Sequence, residues 1–146
     1  MITFFKIVVL VLTLLSVTAE SSFASKWVIV VVGKDSKIFI DNESIQRTGQ
    51  KVNVWIKFVY DKPHTYHDKS YLVGKYFLVY SCNEQTSNLL HIITYSDIEE
   101  SNEVVSDSFA DSSLDFTKVA PDSIDYQIMK AVCKESSSKK GGLTHD

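Results

Sequence analysis

The sequence lacks the short motifs on which the large enzyme classes depend. It contains no GxSxG nucleophile elbow, no Walker phosphate loop, no dinucleotide-binding glycine fingerprint and no HExxH zinc helix. Catalysis is therefore unsupported, and the chain is expected to be neither an enzyme nor the holder of a cofactor. Basic runs are missing too. Lys139-Lys140 is the one basic pair, and the formal charge is −3, a balance that excludes phosphate-tracking nucleic-acid binding. Cysteine is nearly absent, with Cys82 and Cys133 alone in 146 residues. Neither lies near the N-terminus, so a processed chain would have no acceptor there for a lipid anchor. No apolar run approaches the ~20 residues that cross a bilayer.

The first 24 residues, MITFFKIVVLVLTLLSVTAESSFA, carry Lys6, then an apolar run from Ile7 to Leu15, then the small-residue end Ser22-Phe23-Ala24. This is the order a signal peptidase requires, and the reading is cleavage after Ala24, with Ala19 as the alternative site and an uncleaved anchor as the rival reading. Cleavage removes Lys6 and Glu20 together and leaves the charge at −3. The expected product is exported, to the periplasm, the cell surface or the medium, with no membrane span. At the other end ESSSKKGGLTHD, residues 135–146, is small and polar, the composition of a disordered tail.

In an oxidising compartment an even pair of cysteines normally closes a bridge. Joining Cys82 to Cys133 would remove about 4 kcal/mol of unfolded-chain entropy. Two free thiols or a thiol catalyst are the competing readings, opposed by the absence of a CxxC partner or a neighbouring histidine.

Between leader and tail the apolar residues come in short runs separated by turn chemistry. KWVIVVVG (26–33) and SKIFID (36–41) read as a hairpin, and Gly49 supplies the positive φ of a tight turn. QKVNVWIKFVY (50–60) sets Val52, Val54, Ile56, Phe58 and Tyr60 on one face and Lys51, Asn53, Trp55, Lys57 and Val59 on the other. SYLVGKYFLVYSC (70–82) is apolar on both faces. TSNLLHIITYS (86–96) is a fifth strand and EVVS (103–106) a weak sixth. The period then changes: in PDSIDYQIMKAVC (121–133) Ile124, Ile128, Ala131 and Val132 recur at helical spacing, behind Pro121 and a capping Asp122 or Ser123. The fold class is α+β, an antiparallel sheet of about five to six strands with a C-terminal helix packed on one face and disulfide-linked to it. Such a helix spans roughly 17 Å and six strands about 25 Å. The second face therefore needs cover from a curling sheet or a second chain, and a homodimer is the favoured reading.

Several clusters invite a chemical reading. In DKPHTYHD (61–68), His64 and His67 stand beside Asp61 and Asp68 as weak metal candidates, read first as a polar loop between strands because no third histidine is near. Residues 97–115 hold seven acidic side chains and no basic one, a solvated loop or a surface for a basic partner. His91 lies in a strand without a nucleophile motif. Asp41, Arg47 and Trp55 suit a bent hairpin, Asp41 accepting from amides two residues on. Arg47 and Trp55 also form a candidate binding patch, since these residue types dominate interaction hot spots.

Three segments together, IFIDNESIQRTGQKVNVWIKFVYD, YSCNEQTSNLLHIITYS and VAPDSIDYQIMKAVC, resemble the surface-adhesin protein E-like domain of bacterial envelope proteins. The matching positions are Asp41, Ser44, Ile45, Arg47, Gly49, Val54, Trp55, Cys82, Pro121, Ser123 and Cys133, and the likeness covers residues 26–134 within a domain placed at 25–134. The resemblance implies an antiparallel sheet bearing a helix, frequent dimers, and in some members adhesion to host extracellular-matrix proteins. An adhesin-like, protein-binding role follows, with a periplasmic structural or inhibitor-type module as the alternative. The chain departs from the pattern in having no lipid-anchor cysteine, and NEQTSNLL where members are often arginine-rich.

Overall fold

The β-branched runs become strands where their periodicity predicts them, and a computed structural model describes them over residues 25–109 and 116–134. The expected leader (1–24), the tail (135–146) and residues 110–115 of the acidic stretch lie outside the described residues. One antiparallel sheet runs in the order β1 (Trp27–Val32), β2 (Ser36–Asp41), β4 (Lys51–Tyr66), β5 (Lys69–Ser81), β6 (Thr86–Tyr95) and β7 (Glu103–Ser108). Short β3 (Gln46–Thr48) pairs with β4, and β8 (Thr117–Lys118) with β6. The sheet thus has eight strands among the described residues rather than five to six. The two extra ones are of two and three residues, too short for hydrophobic alternation to register.

Each turn has its own chemistry. Asp41 ends β2 by accepting the N–H of Glu43 at 3.1 Å, two residues on as expected, and that of Lys26 at 2.9 Å. Ser44 then bridges the bend: its hydroxyl donates to the Asp41 carbonyl at 2.7 Å and accepts the Trp55 N–H at 2.9 Å. Gly49, at φ 61°, closes the β3–β4 hairpin.

The main departure lies at residues 61–68. These do not form a loop. β4 continues to Tyr66, and the turn is reduced to His67 and Asp68, both at positive φ (49° and 59°), as a two-residue hairpin turn requires. Pro63, which has no N–H to give, falls where the β4–β5 pairing lapses between Val59 and His64. Beyond Tyr60 the strand β4 has lost β2 as a neighbour, and before Val73 the strand β5 has no β6 partner, so residues 61–72 make a two-stranded arm. The arm folds back: Tyr66 donates to Asp107 at 3.0 Å and His67 stands 3.2 Å from the same carboxylate.

Helix α1 (Ile124–Lys134) starts where Ser123 caps it, the hydroxyl accepting the Tyr126 N–H at 3.0 Å. Its Ile128, Met129 and Val132 pack on Ile38, Ile40, Val52, Val54, Ile56 and Tyr80, the predicted inward face of β4 and its neighbours. Cys82 and Cys133 are bridged, with Cα atoms 5.9 Å apart. Arg47 donates to the Val132 carbonyl, one of the acceptors that a helix end leaves unpaired. At the other end Asp125 accepts from Tyr80 and, at 3.1 Å, from Ser87. Burial first, then the Asp125 carboxylate, push the Tyr80 hydroxyl far above its ordinary value. The arm lies on this same face, because Asp107 pairs with Ile92, which pairs with Tyr76, while Ile56, Phe58, Leu78 and Leu89 still line an open apolar cavity of about 220 Å³ there.

Replacing Cys82 with serine is expected to lower the stability of oxidised protein by about 4 kcal/mol, a fall in melting temperature on the order of 15 °C. Calorimetry with and without reductant checks this: the reduced wild type should melt close to the variant.

Candidate functional site

The face turned away from the helix carries the mixed side chains of the strands. Cross-strand register places Phe39, Lys57, Lys75 and Ile93 in one row, and sets Trp27 beside Asp41 and Trp55 beside Phe77 and His91 in the next. Side by side, two lysines repel, and the turn at residues 96–102 resolves this. Asp97 shapes that turn by accepting the N–H groups of Ser101 and Asn102, each at 2.8 Å, and the Ser101 hydroxyl at 2.7 Å. The Ser101 N–H first, and then its hydroxyl, hold the Asp97 carboxyl below the usual carboxylate range. Glu100 is thereby directed inward between the lysines, 2.9 Å from Lys57 and ion-paired with Lys75. Burial opposes ionisation of Glu100, but the hydrogen bonds and charge of Lys75 and Lys57 outweigh it, and its pKa is lowered.

Aromatic rings line the ammonium groups. Lys57 lies 4.5 Å from the Trp27 ring centre and 5.4 Å from that of Phe39, and Lys75 lies 5.6 Å from Trp27 and 5.1 Å from Tyr95. Trp55 stacks obliquely on Phe77 at 5.2 Å and meets the edge of His91 at 5.6 Å. His91 is itself held between Ser108 at 2.7 Å and Ser106 at 3.2 Å. The result is a surface of rings and balanced charge, suited to recognition by large, stiff side chains.

The sequence-predicted residues divide between the two faces. Asp41, Ser44 and Trp55 meet at the bend beside this surface. Arg47 pairs in register with Val52 on the helix side, so the sheet separates it from Trp55. Ser44, Ile45, Gly49, Val54, Pro121 and Ser123 serve the hairpin, the core and the helix start. His64 stacks on Tyr60 at 3.9 Å while His67 faces Asp107, and among the described residues no three metal-ligating side chains converge. Trp27, Lys57, Lys75, Tyr95 and Glu100 escaped sequence reasoning as a group. Alternation reveals the face of each, but their adjacency depends on the register between strands.

A family model for surface-adhesin protein E matches residues 27–134. The chain belongs to that family. Three solved structures of Haemophilus influenzae protein E share the fold. Crystal form II is 14% identical with a TM-score of 0.57 over 82% of this chain and 95% of that one, and a second structure is 14% identical with a TM-score of 0.55 over 82% and 92%. The protein from a non-typeable strain is 15% identical with a TM-score of 0.53 over 81% and 82%. No curated protein matches the sequence at a significant level. Membership accords with an exported, adhesin-like surface protein, and among the described residues no helix is long and apolar enough to cross a membrane.

Because the folded value of Glu100 lies below its ordinary 4.5, the stability it contributes is complete above that pH and is lost as pH falls through the lowered value. Glu100→Gln is expected to cost about 1 kcal/mol at neutral pH, allowing for solvent screening. The gap between the melting temperatures of variant and wild type should close as the pH drops below 4.5, which thermal melts across an acid series will show.

Proposed function

We propose that the chain is an exported, non-catalytic binding protein whose partner is a protein, with host extracellular-matrix components as the class. The observation that carries this reading is the family match over residues 27–134, almost the whole of the described chain. Two physical features support it. The face opposite the helix gathers Trp27, Phe39, Trp55 and Tyr95 around a fixed ion-pair network, and aromatic anchors of this kind carry most binding energy at interfaces. On the helix face, by contrast, Arg47, Tyr80, Ser87 and Asp125, and Tyr66 with Asp107, are engaged internally.

A second reading, a periplasmic structural or inhibitor-type module, is favoured by one feature. The turn at residues 83–85 reads Asn-Glu-Gln, where the resembled family is often arginine-rich. Intact cells distinguish the two. Under the adhesin reading, surface-applied antibody or protease reaches the protein, and the purified domain binds immobilised matrix proteins saturably. Protection in intact cells, with exposure only after the outer membrane is opened, would favour the periplasmic module.

The homodimer is proposed on β1. This edge strand pairs with β2 on one side, and Val28, Ile29 and Val32 are exposed on it, at 36%, 48% and 70%. Apolar edge strands are templates for pairing with another chain. Sedimentation equilibrium should give twice the chain mass for the wild type and the single chain mass for Ile29→Lys, with unchanged circular dichroism.

A further inference from the structure

Both tryptophans of the chain wall one cavity, of about 200 Å³, on the face opposite the helix. Trp27 and Trp55 flank Asp41 at one end, and Ser25, Lys75, Ile93 and Tyr95 complete the walls. The antiparallel ladder brings them together: Trp27 lies opposite Asp41, and Lys75 opposite Ile93.

The polar groups at the two ends differ in kind. Asp41 is only 6% exposed, and among the described residues both hydrogen bonds that its carboxylate accepts fall on Oδ1, which leaves Oδ2 as an acceptor. Lys75 is fixed by Glu100 and by the rings of Trp27 and Tyr95, and its ammonium has three N–H donors, more than one carboxylate uses. Among the side chains that line the cavity, the charged ones are Asp41 and Lys75, one of each sign, and Glu100 and Lys57 pair beside them.

This combination excludes most ligand classes. A purely apolar molecule would strip water from Asp41 and Lys75 without replacing its hydrogen bonds. A simple anion would face Asp41, and a simple cation Lys75. What remains is a neutral ligand with an apolar flank and a hydroxylated rim. Drug-sized sites run to ~300–1,000 Å³, so this smaller cavity suits a single ring. We propose that the cavity binds one pyranose ring of a glycan. Its C–H face lies against the aromatic walls, one hydroxyl donates to Asp41 Oδ2 and another accepts from Lys75. The assignment goes beyond the matrix-protein reading and stands without it.

The test uses the two tryptophans as reporters. The purified domain is titrated with the methyl glycosides of glucose, galactose and mannose and with N-acetylglucosamine, following intrinsic fluorescence. A saturable change with a dissociation constant roughly millimolar is expected for at least one of them. Tyr95→Ala and Lys75→Met should each weaken it about tenfold or more, Tyr95→Phe should keep it, and Tyr66→Phe, on the other face, should leave it unchanged. Melting curves verify that each variant is folded, and proton saturation-transfer spectra of the wild type give a second readout independent of the variants. Four results would overturn the assignment. They are no saturable response to any sugar, equal binding by Tyr95→Ala and Lys75→Met, saturation by phenol or indole without any response to sugars, and preference for glucuronate over every neutral sugar. Retention on host glycoproteins before but not after deglycosylation, or on purified envelope polysaccharide, in either case released by the free sugar, separates the two sources of such a ring.

Discussion

A helix of eleven residues is too short to persist alone in water, so the inner face of this sheet depends on how that helix is held. Three attachments secure it. The Cys82–Cys133 bridge joins its last turn to the residue after β5, Arg47 reaches the Val132 carbonyl from β3, and Tyr80 and Ser87 converge on Asp125 in its first turn. The attachments come from β3, the end of β5 and the start of β6 and hold both ends of the helix, so it is fixed in position and tilt. Its buried side chains, Ile128, Met129 and Val132, then supply the apolar cover that Val52, Val54 and Ile56 require. Hydrophobic burial is non-directional. The polar and covalent contacts at the two ends choose the one orientation in which that burial is complete.

The helix leaves part of the inner face open, and the hairpin arm lies over another part of it. Where β4 and β5 outrun their neighbours, pairing lapses between Val59 and His64 and the ribbon turns back toward β7. Gly74 leaves room for the Tyr76 ring, because a Cβ there would come within 2.6 Å of the Tyr76 hydroxyl. Tyr76 contacts Phe58 edge-on and reaches Tyr71, and burial raises the pKa of its hydroxyl well beyond the ordinary value. The inner face therefore combines a helix and a folded ribbon, and on it Thr94 is fully buried with its hydroxyl unpaired among the described residues.

Much of this was legible in the chain. Period-two alternation placed Val52, Val54 and Ile56 inward, a capping Asp122 or Ser123 announced the helix that Ser123 caps, and two cysteines in a chain read as exported predicted their own bond. The arm was not legible, because DKPHTYHD has the composition of a loop. Proline and paired aspartates usually end strands, and only the lapse in pairing around Pro63 lets them remain in one. Nor could the sequence place Glu100. Seven acidic residues in a row of turns and polar positions suggest a solvated segment. The inward direction of one of them comes from the Asp97 turn and from two lysines more than twenty residues away, a contact that no local pattern encodes. Arg47 and Trp55 show the same limit, since nearness in sequence says little when a sheet comes between them.

The outer surface is built by a different logic from the inner one. Asp97 fixes its turn, the turn fixes Glu100, Glu100 fixes Lys57 and Lys75, and the lysines lie along Trp27, Phe39 and Tyr95. Long lysine side chains ordinarily lose ~1.5–2 kcal/mol of rotamer freedom when immobilised. Here folding has already immobilised them, so a ligand meeting this face does not have to order them again. Preorganisation of this kind favours affinity without adding contact area. It also explains how a single small domain can combine a covered side, held by buried apolar contacts and a bridge, with an exposed side whose charges are arranged before any partner arrives.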